Sequence, residues 1–331
     1  MIAGEALAAW LADPEAQRRS LDAVEAVSRT WAHHPLKTDL QARLAVLPEP
    51  SAAAVLDAAR AFIDRTGDID ALLAAMREGS RADPFFRPPF HPVSSDIQAG
   101  MLLFHNSDLS ISLSVAGVEA LAAKKAESEG GIISFSGVTS LFRFVKAGGA
   151  TVSFWEAPPI GDDFVAAKAG SCRFTGRRRI ADGEEIVLDG RSQSFIMEHA
   201  TSDIVYFHAM VRPEAAPLTA EYDAGSLAFA GASSTDEAAS RMQIMVSLLR
   251  AMEREDAVPL LVEVLASPHF YTRWHVMREL LALDADAAHP HLRHMAEADP
   301  HPEVRAAARQ TLDLFFADAA DGAEEGVACR A

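Results

Sequence analysis

A chain of 331 residues, 49% hydrophobic, 23% charged and 7% aromatic, has room for two or three globular domains and is neither fibrous nor disordered throughout. With 30 Lys and Arg against 47 Asp and Glu, the formal charge is -17, and a field of that sign repels phosphate backbones and anionic lipid. Nucleic acid and membrane are therefore not expected partners. Cys172 and Cys329 support neither a disulfide framework nor a Cys-based zinc site. No apolar run approaches the roughly 20 residues that span a bilayer, and the acidic N-terminus lacks the basic start of a signal peptide, so a cytoplasmic location is expected.

Residues 1–82 read as helical. Apolar side chains recur three and four apart, as in Ala53, Leu56, Ala59 and Ile63 and again in Ile69, Leu72, Leu73 and Met76. Breaks at His34-Pro35, at Pro48-Glu49-Pro50 ahead of Ser51 and at Thr66-Gly67-Asp68 divide the region into four helices of about 10 to 15 residues. The connector from Asp83 to Pro92 is rich in Pro and Phe and cannot continue a helix, because proline lacks the amide donor and restricts the residue before it. Residues 83–232 then read as β, in short apolar runs broken by Gly, Pro or Asp-Gly turns. Some seven or eight such strands predict an antiparallel sandwich or small barrel. Residues 233–318 are helical again, opening on the cap cluster Ser233-Ser234-Thr235-Asp236. The polar stretch 319–331 is expected to be a disordered tail. The fold class is α+β with several domains: N-terminal helices, a central antiparallel β domain and C-terminal helices.

Two resemblances refine this reading. Asp256–Leu265 followed by a helix pair, and Asp299-Pro300-His301-Pro302-Glu303-Val304-Arg305-Ala306-Ala307-Ala308 opening a further helix, resemble HEAT repeats, whose helix pairs stack to bury faces that none buries alone. Ala307 is then expected at a close helix contact and Arg309 outside. The stretch Gly183–Phe195 resembles the second motif of the cupins, a Gly followed by Pro-x-Gly-x-x-His entering a strand. Leu188 stands at the Pro position and Gln193 at the metal-binding His. Of the first motif, a His-x-His pair with a Glu after it, only Glu156 is a remnant within Ala150–Glu156. The resemblance implies a cupin-like jelly roll or β-barrel, and its substitutions imply loss of the family's metal, because a Gln amide brings no charge to an ion. No metal or other cofactor is expected.

With Ala200–Asp203 as a hairpin turn, Gln193, Phe195, Met197 and His199 share a face with Ile204, Tyr206, His208 and Met210. Polar groups among Phe and Met suit a small-molecule pocket. Gln193, Phe195, Met197, Tyr206, His208, Trp155 and Glu156 are accordingly the candidate ligand-binding residues, and His208 with Tyr206 is the acid/base pair if the interior is catalytic. On the repeats, His275 and Arg278 lie on a face apart from Trp274, Met277 and Leu281 and suit a peptide or partner helix. Arg173, Arg177 and Arg179 alternate onto one side of their strand, opposite Cys172, Phe174 and Ile180, where a carboxylate, phosphate or acidic protein segment would dock. His269, His275, His289, His291, His294 and His301 read as solvated helix faces, since no carboxylate or Cys completes a tetrahedral set. No nucleophile elbow, phosphate loop or dinucleotide fingerprint occurs. The expected function is non-enzymatic: a binding and scaffold protein with a metal-free pocket for a small molecule or peptide and helical repeats that dock a protein partner. The alternative is a cupin-type isomerase, epimerase or metal-dependent oxygenase acting in the barrel interior. A homodimer is left open.

Overall fold

The computed structural model describes residues 4–127, 131–161 and 163–316. The expected tail, with Cys329, lies outside the described residues. Five helices open the chain: α1 (Gly4–Ala12), α2 (Pro14–Ala32), α3 (Pro35–Ala45), α4 (Ala52–Ile63) and α5 (Thr66–Ala82). The expected count was four. The missed break is Asp13-Pro14, where the Asp13 carboxylate accepts from the amides of Glu15 and Ala16 and Pro14 occupies a first-turn position that needs no amide donor. Conversely, α5 starts at Thr66, so the expected break at Gly67 falls inside its first turn.

The β region holds β1 (His91–Ser94), β2 (Gln98–His105), β3 (Leu109–Ala116), then a helix α6 (Val118–Glu127), β4 (Ile132–Phe135), β5 (Thr139–Lys146), β6 (Thr151–Glu156), β7 (Arg173–Arg179), β8 (Glu185–Asp189), β9 (Gln193–His199), β10 (Ile204–Val211), β11 (Leu218–Asp223) and β12 (Phe229–Ser234). Strand β1, in the proline connector, and α6 interrupt the pattern read from the sequence. The sheets run β1-β2-β3-β10-β5-β8, β7-β6-β9 and β12-β11-β4. Numbered from β3 to β10, the first strand lies beside the eighth, the third between the eighth and sixth, and the fourth between the fifth and seventh, which is the strand order of a jelly roll. The second strand, β4, pairs with β11 instead.

Five helices close the described chain: α7 (Glu237–Ala251), α8 (Val258–Val264), α9 (Phe270–Leu283), α10 (Ala285–Ala298) and α11 (Pro302–Phe315). The described residues form two compact units, one drawn from within 1–133, 138–156 and 173–215, the other from within 134–137, 157–172 and 216–331. In the first, β3 alternates Leu109, Ile111 and Leu113 against Ser110, Ser112 and Ser114. Its apolar side joins Leu141, Phe207 and Val211 beneath α3 to α5, whose Leu36, Val55, Phe62 and Ile69 complete one core. A second core fills the space between the two jelly-roll sheets, from Phe144, Ile204 and Tyr206 on one to Val152 on the other.

The second unit has its own core, centred on Leu261, Val276, Leu280, Leu292 and Ala308. A loop device recurs in it. Ahead of α9, Arg273 donates to the carbonyls of Ser267 and Pro268, both at 3.0 Å, and ahead of α11, Arg305 donates to those of Asp299 and Pro300. Arg273 also holds the buried Asp299 carboxylate through bonds of 2.8 and 2.7 Å, tying one repeat to the next. The close helix contact belongs to Ala308, which is fully buried; Ala307, expected there, is only half-buried because α11 is rotated by one residue from the register assumed.

Candidate functional site

The polar side of β3 faces the jelly-roll interior. Strand register places Ser110, Ser112 and Ser114 beside Met210, His208 and Tyr206 of β10, and these beside Ser140, Phe142 and Phe144 of β5. Phe154 of β6 and Phe195 and Met197 of β9 face them from the opposing sheet. His208 stacks on Phe142 with centroids 4.2 Å apart and planes 10° from parallel, and Phe142 meets the edge of Phe195 at 4.7 Å. The His208 Nε2 lies 3.4 Å from the Ser140 hydroxyl, and Ser112 donates to the His208 carbonyl at 3.5 Å. Tyr206 donates its phenol proton to the Gln98 side-chain oxygen. Removal from water disfavours the charged forms, so the His208 pKa is pushed down to about 4 and that of Tyr206 up to about 12. His208 is neutral at pH 7.

This interior is not closed-packed. Phe142, Phe195, Met197, His208 and Met210 all keep accessible surface although they point between the sheets. Among the described residues, the Ser110 and Ser114 hydroxyls and the His208 Nδ1 have no hydrogen-bond partner, yet none of these atoms is sealed from solvent. Ser110 and Ser114 are nonetheless 7% and 1% exposed as residues. Buried polar groups are ordinarily paired, so these three atoms are spare hydrogen-bonding groups on the inner side of the sheet. The signal that would have found the serines is the period-two run Leu-Ser-Ile-Ser-Leu-Ser at 109–114, in which a strand carries hydroxyls at every inward position.

The expected hairpin is absent. β9 pairs with β6 and β10 with β3 and β5, so Ala200–Asp203 crosses from one sheet to the other. Phe195 and Met197 still face Tyr206 and His208, across the sandwich instead of along one sheet. A bulge at Glu198 turns His199 to the exposed side.

Gln193 and Glu156 lie opposite each other in register but are engaged elsewhere. The Gln193 amide oxygen accepts from the Asp189 amide at 3.2 Å, closing the turn before β9, and the Glu156 carboxylate pairs with Arg173. Both line a cleft of about 400 Å³ with Phe154 and Arg178, and His208 is not part of it. The cupin metal therefore does not fit these residues: one remnant is an amide already bonded, the other a carboxylate already neutralised. Among the described residues, no three His, Cys, Asp or Glu side chains converge to hold an ion. Trp155 lies on the face of β6 that carries Ser153, edge-on to Phe174 at 5.4 Å, with its indole nitrogen buried and unbonded.

The three arginines do not share a face. Between Gly176 and Phe174 the register with β6 slips by one residue, leaving Thr175 as a bulge. Arg177 and Arg179 stay beside Ser153 and Thr151, where Arg177 donates to Ser153 at 2.9 Å; Arg173 is carried to the other side, onto Glu156.

In the helical unit, His275 is turned inward. Its Nε2 lies 3.1 Å from the Gln243 carbonyl and 3.0 Å from the Ser247 hydroxyl, and since a carbonyl only accepts, that nitrogen carries the proton. Arg278 is exposed, and both residues line a groove of about 560 Å³. His301 and His289 are not on solvated faces: His301, 4% exposed, stacks on Phe270 at 3.9 Å, and His289 stacks on Phe316 at 4.5 Å.

No helix among the described residues is long and apolar enough to cross a membrane. No curated protein is similar enough to match this chain. Solved structures similar to it include ectoine synthase from P. lautus, 11% identical over 37% of this chain and 69% of that one, with a TM-score of 0.24. A cupin superfamily protein from Desulfitobacterium hafniense DCB-2 is 7% identical over 36% of this chain and 81% of that one, with a TM-score of 0.21. A cupin 2 conserved barrel domain protein from Rhodopseudomonas palustris is 8% identical over 37% and 69%, with a TM-score of 0.23. The family model for HEAT repeats matches residues 230–313, so the helices from α7 through most of α11 are HEAT repeats.

Proposed function

We propose that this chain is a binding protein without catalytic turnover, whose jelly-roll interior takes an uncharged, hydroxyl-bearing small molecule and whose HEAT repeats dock a protein partner. The observation that supports it best is the set of unpaired Ser110, Ser114 and His208 Nδ1 atoms beside the rings of Phe142 and Phe195. Hydroxyls and a neutral imidazole exchange hydrogen bonds with alcohols and amides, and aromatic rings cover an apolar ligand face; among the described residues no charged side chain joins them to neutralise an ion. Acid/base turnover is the weaker reading, because such catalysis works best with a pKa near the working pH, whereas His208 lies near 4 and Tyr206 near 12. A cytoplasmic location belongs to the same proposal and is supported by the free, buried Cys172.

The test is a thermal-shift screen of neutral polyols, sugars and nucleosides, followed by titration of each hit with the parent, His208→Ala, Ser114→Ala and Arg177→Ala. Removing one partner from a desolvated hydrogen bond costs about 1–3 kcal/mol, so the first two variants should bind roughly five- to a hundredfold more weakly. Arg177→Ala should bind like the parent. If instead His208→Ala and Ser114→Ala keep full affinity while Arg177→Ala loses it, the interior is only a core.

A further inference from the structure

We propose that the exposed apolar stripe of α7 docks an amphipathic α-helix of a partner protein, seated where a further helix of the repeat would pack. This deepens the docking half of the function proposed above and rests on it. The helix α7 lies wholly within the second compact unit.

The first observation is the repeat itself. Gln243-Ile244-Met245-Val246-Ser247-Leu248-Leu249 of α7 matches His275-Val276-Met277-Arg278-Glu279-Leu280-Leu281 of α9 at a period of 32 residues, the interval from Arg241 to Arg273 and from Arg273 to Arg305. In α9, Val276, Met277 and Leu280 are 0% exposed, enclosed in a core with Leu261 of α8, Ala288 and Leu292 of α10 and Val304 and Ala308 of α11. Their counterparts on α7, Ile244, Met245 and Leu248, are 69%, 60% and 56% exposed, and Met252, a turn further on, continues the stripe at 55%. Side chains three and four apart share one helix face, so the core face of a repeat stands open over about 12 Å at a rise of about 1.5 Å per residue.

The second observation is the way α7 is held. It turns its hydrogen-bonding side to α9. The Gln243 carbonyl and the Ser247 hydroxyl lie 3.1 and 3.0 Å from His275 Nε2, Ser247 donates to the Glu279 carboxylate at 2.9 Å, and Arg250 pairs with the same carboxylate. Rolling Ile244, Met245 and Leu248 inward would break these bonds and leave a half-buried carboxylate without its partners. The stripe therefore stays outward, and an apolar surface has to be brought to it. The repeat also says what kind of surface. The buried residues that enclose the matching face of α9 all lie on helical elements, and α7, with its backbone bonded internally, has no edge for an added strand. That cover is lacking in the first repeat because α8 has seven residues where α10 has 14, and α8 packs on α9. Met245 and Met252 give the stripe flexible thioethers that adapt to the side chains of an incoming helix.

The test uses the full chain. Fluorescence anisotropy follows a labelled helical peptide of about four turns, with leucines three and four apart on one face and Glu, Lys and Gln elsewhere, and an isomer of the same composition with its leucines spread around the helix. Saturable binding is expected for the amphipathic peptide alone. Leu248→Glu, at an exposed position that leaves melting unchanged, should weaken it roughly tenfold or more, because a carboxylate is then pressed against leucine; Arg278→Ala and His208→Ala should not alter it. If the peptide binds Leu248→Glu as tightly as the parent, the α7 assignment is overturned while docking on the repeats survives. If neither peptide binds, or the isomer binds as well, docking of a helix is itself overturned. Sedimentation velocity should find the parent and Leu248→Glu in the same oligomeric state; a parent dimer that the substitution dissociates would give the stripe to a second copy of the chain and overturn a partner's helix as its occupant.

Discussion

His208 provides the sharpest test of the interior, because its burial makes stability depend on pH. Its pKa is about 4 in the fold against 6.5 for an ordinary histidine. The folded value is depressed, so as pH falls below about 6.5 the unfolded chain takes up a proton that the folded chain refuses until about pH 4. Stability from this group is thus intact above pH 6.5 and is lost as pH falls between those two values. At about 1.4 kcal/mol per pH unit, the whole gap is worth about 3 kcal/mol, most of which is lost between pH 7.5 and 4.5. His208→Phe removes the titration and keeps a ring against Phe142. All carboxylates are common to both proteins, so the difference between their unfolding free energies isolates His208. Urea denaturation at pH 7.5, 6.5, 5.5 and 4.5 should show the parent losing about 2–3 kcal/mol relative to His208→Phe. Parallel pH profiles, or a resonance assigned to the His208 imidazole that titrates near 6.5, would refute the desolvated, uncharged state of this residue.

Arg273→Ala strands the Asp299 carboxylate, whose side chain is only 3% exposed, and should cost about 3–5 kcal/mol in urea denaturation followed by helical circular dichroism. Asp299 is buried, which alone would raise its pKa, but Arg273 and the His301 amide hold it below the ordinary value, so this contribution should persist at neutral pH and fade in acid. Ala308→Asp puts an unpaired charge into the repeat core at a fully buried site and should cost several kcal/mol, while Arg309→Asp on the exposed side should stay within about 0.5 kcal/mol. Equal melting shifts for that pair would contradict the helix register. Dialysis against EDTA should leave the melting curve in place; stoichiometric iron, manganese or zinc lost on replacing Glu156 would show that the remnant motif still binds metal.

Much of the architecture was legible because it rests on local rules. Periodicity, proline breaks and turn residues located the helical, β and helical segments, and all eight strand runs from β2 and β3 through β10 formed strands. The departure from the cupin motif could also be read, since it depends on which residue stands at position 193, and the loop around Asp299 carries its own sequence pattern. What escaped were short elements inside another pattern, such as α6 and β1, and the Asp13-Pro14 cap within an Ala-rich run.

The site itself was decided by tertiary structure. A strand's sequence fixes which residues alternate, but not which strand becomes its neighbour, nor where one extra residue reverses the faces. Ala200–Asp203 has the composition of a hairpin turn, yet the pairing of β10 with β3 and β5 makes it a crossover and brings Ser110, Ser112 and Ser114 to His208 from a strand about a hundred residues earlier. The bulge at Thr175 likewise parts Arg173 from Arg177 and Arg179. Burial shifts His208 and leaves serine hydroxyls unpaired only once two sheets face each other, because desolvation is a property of the enclosing volume and not of any segment of the chain.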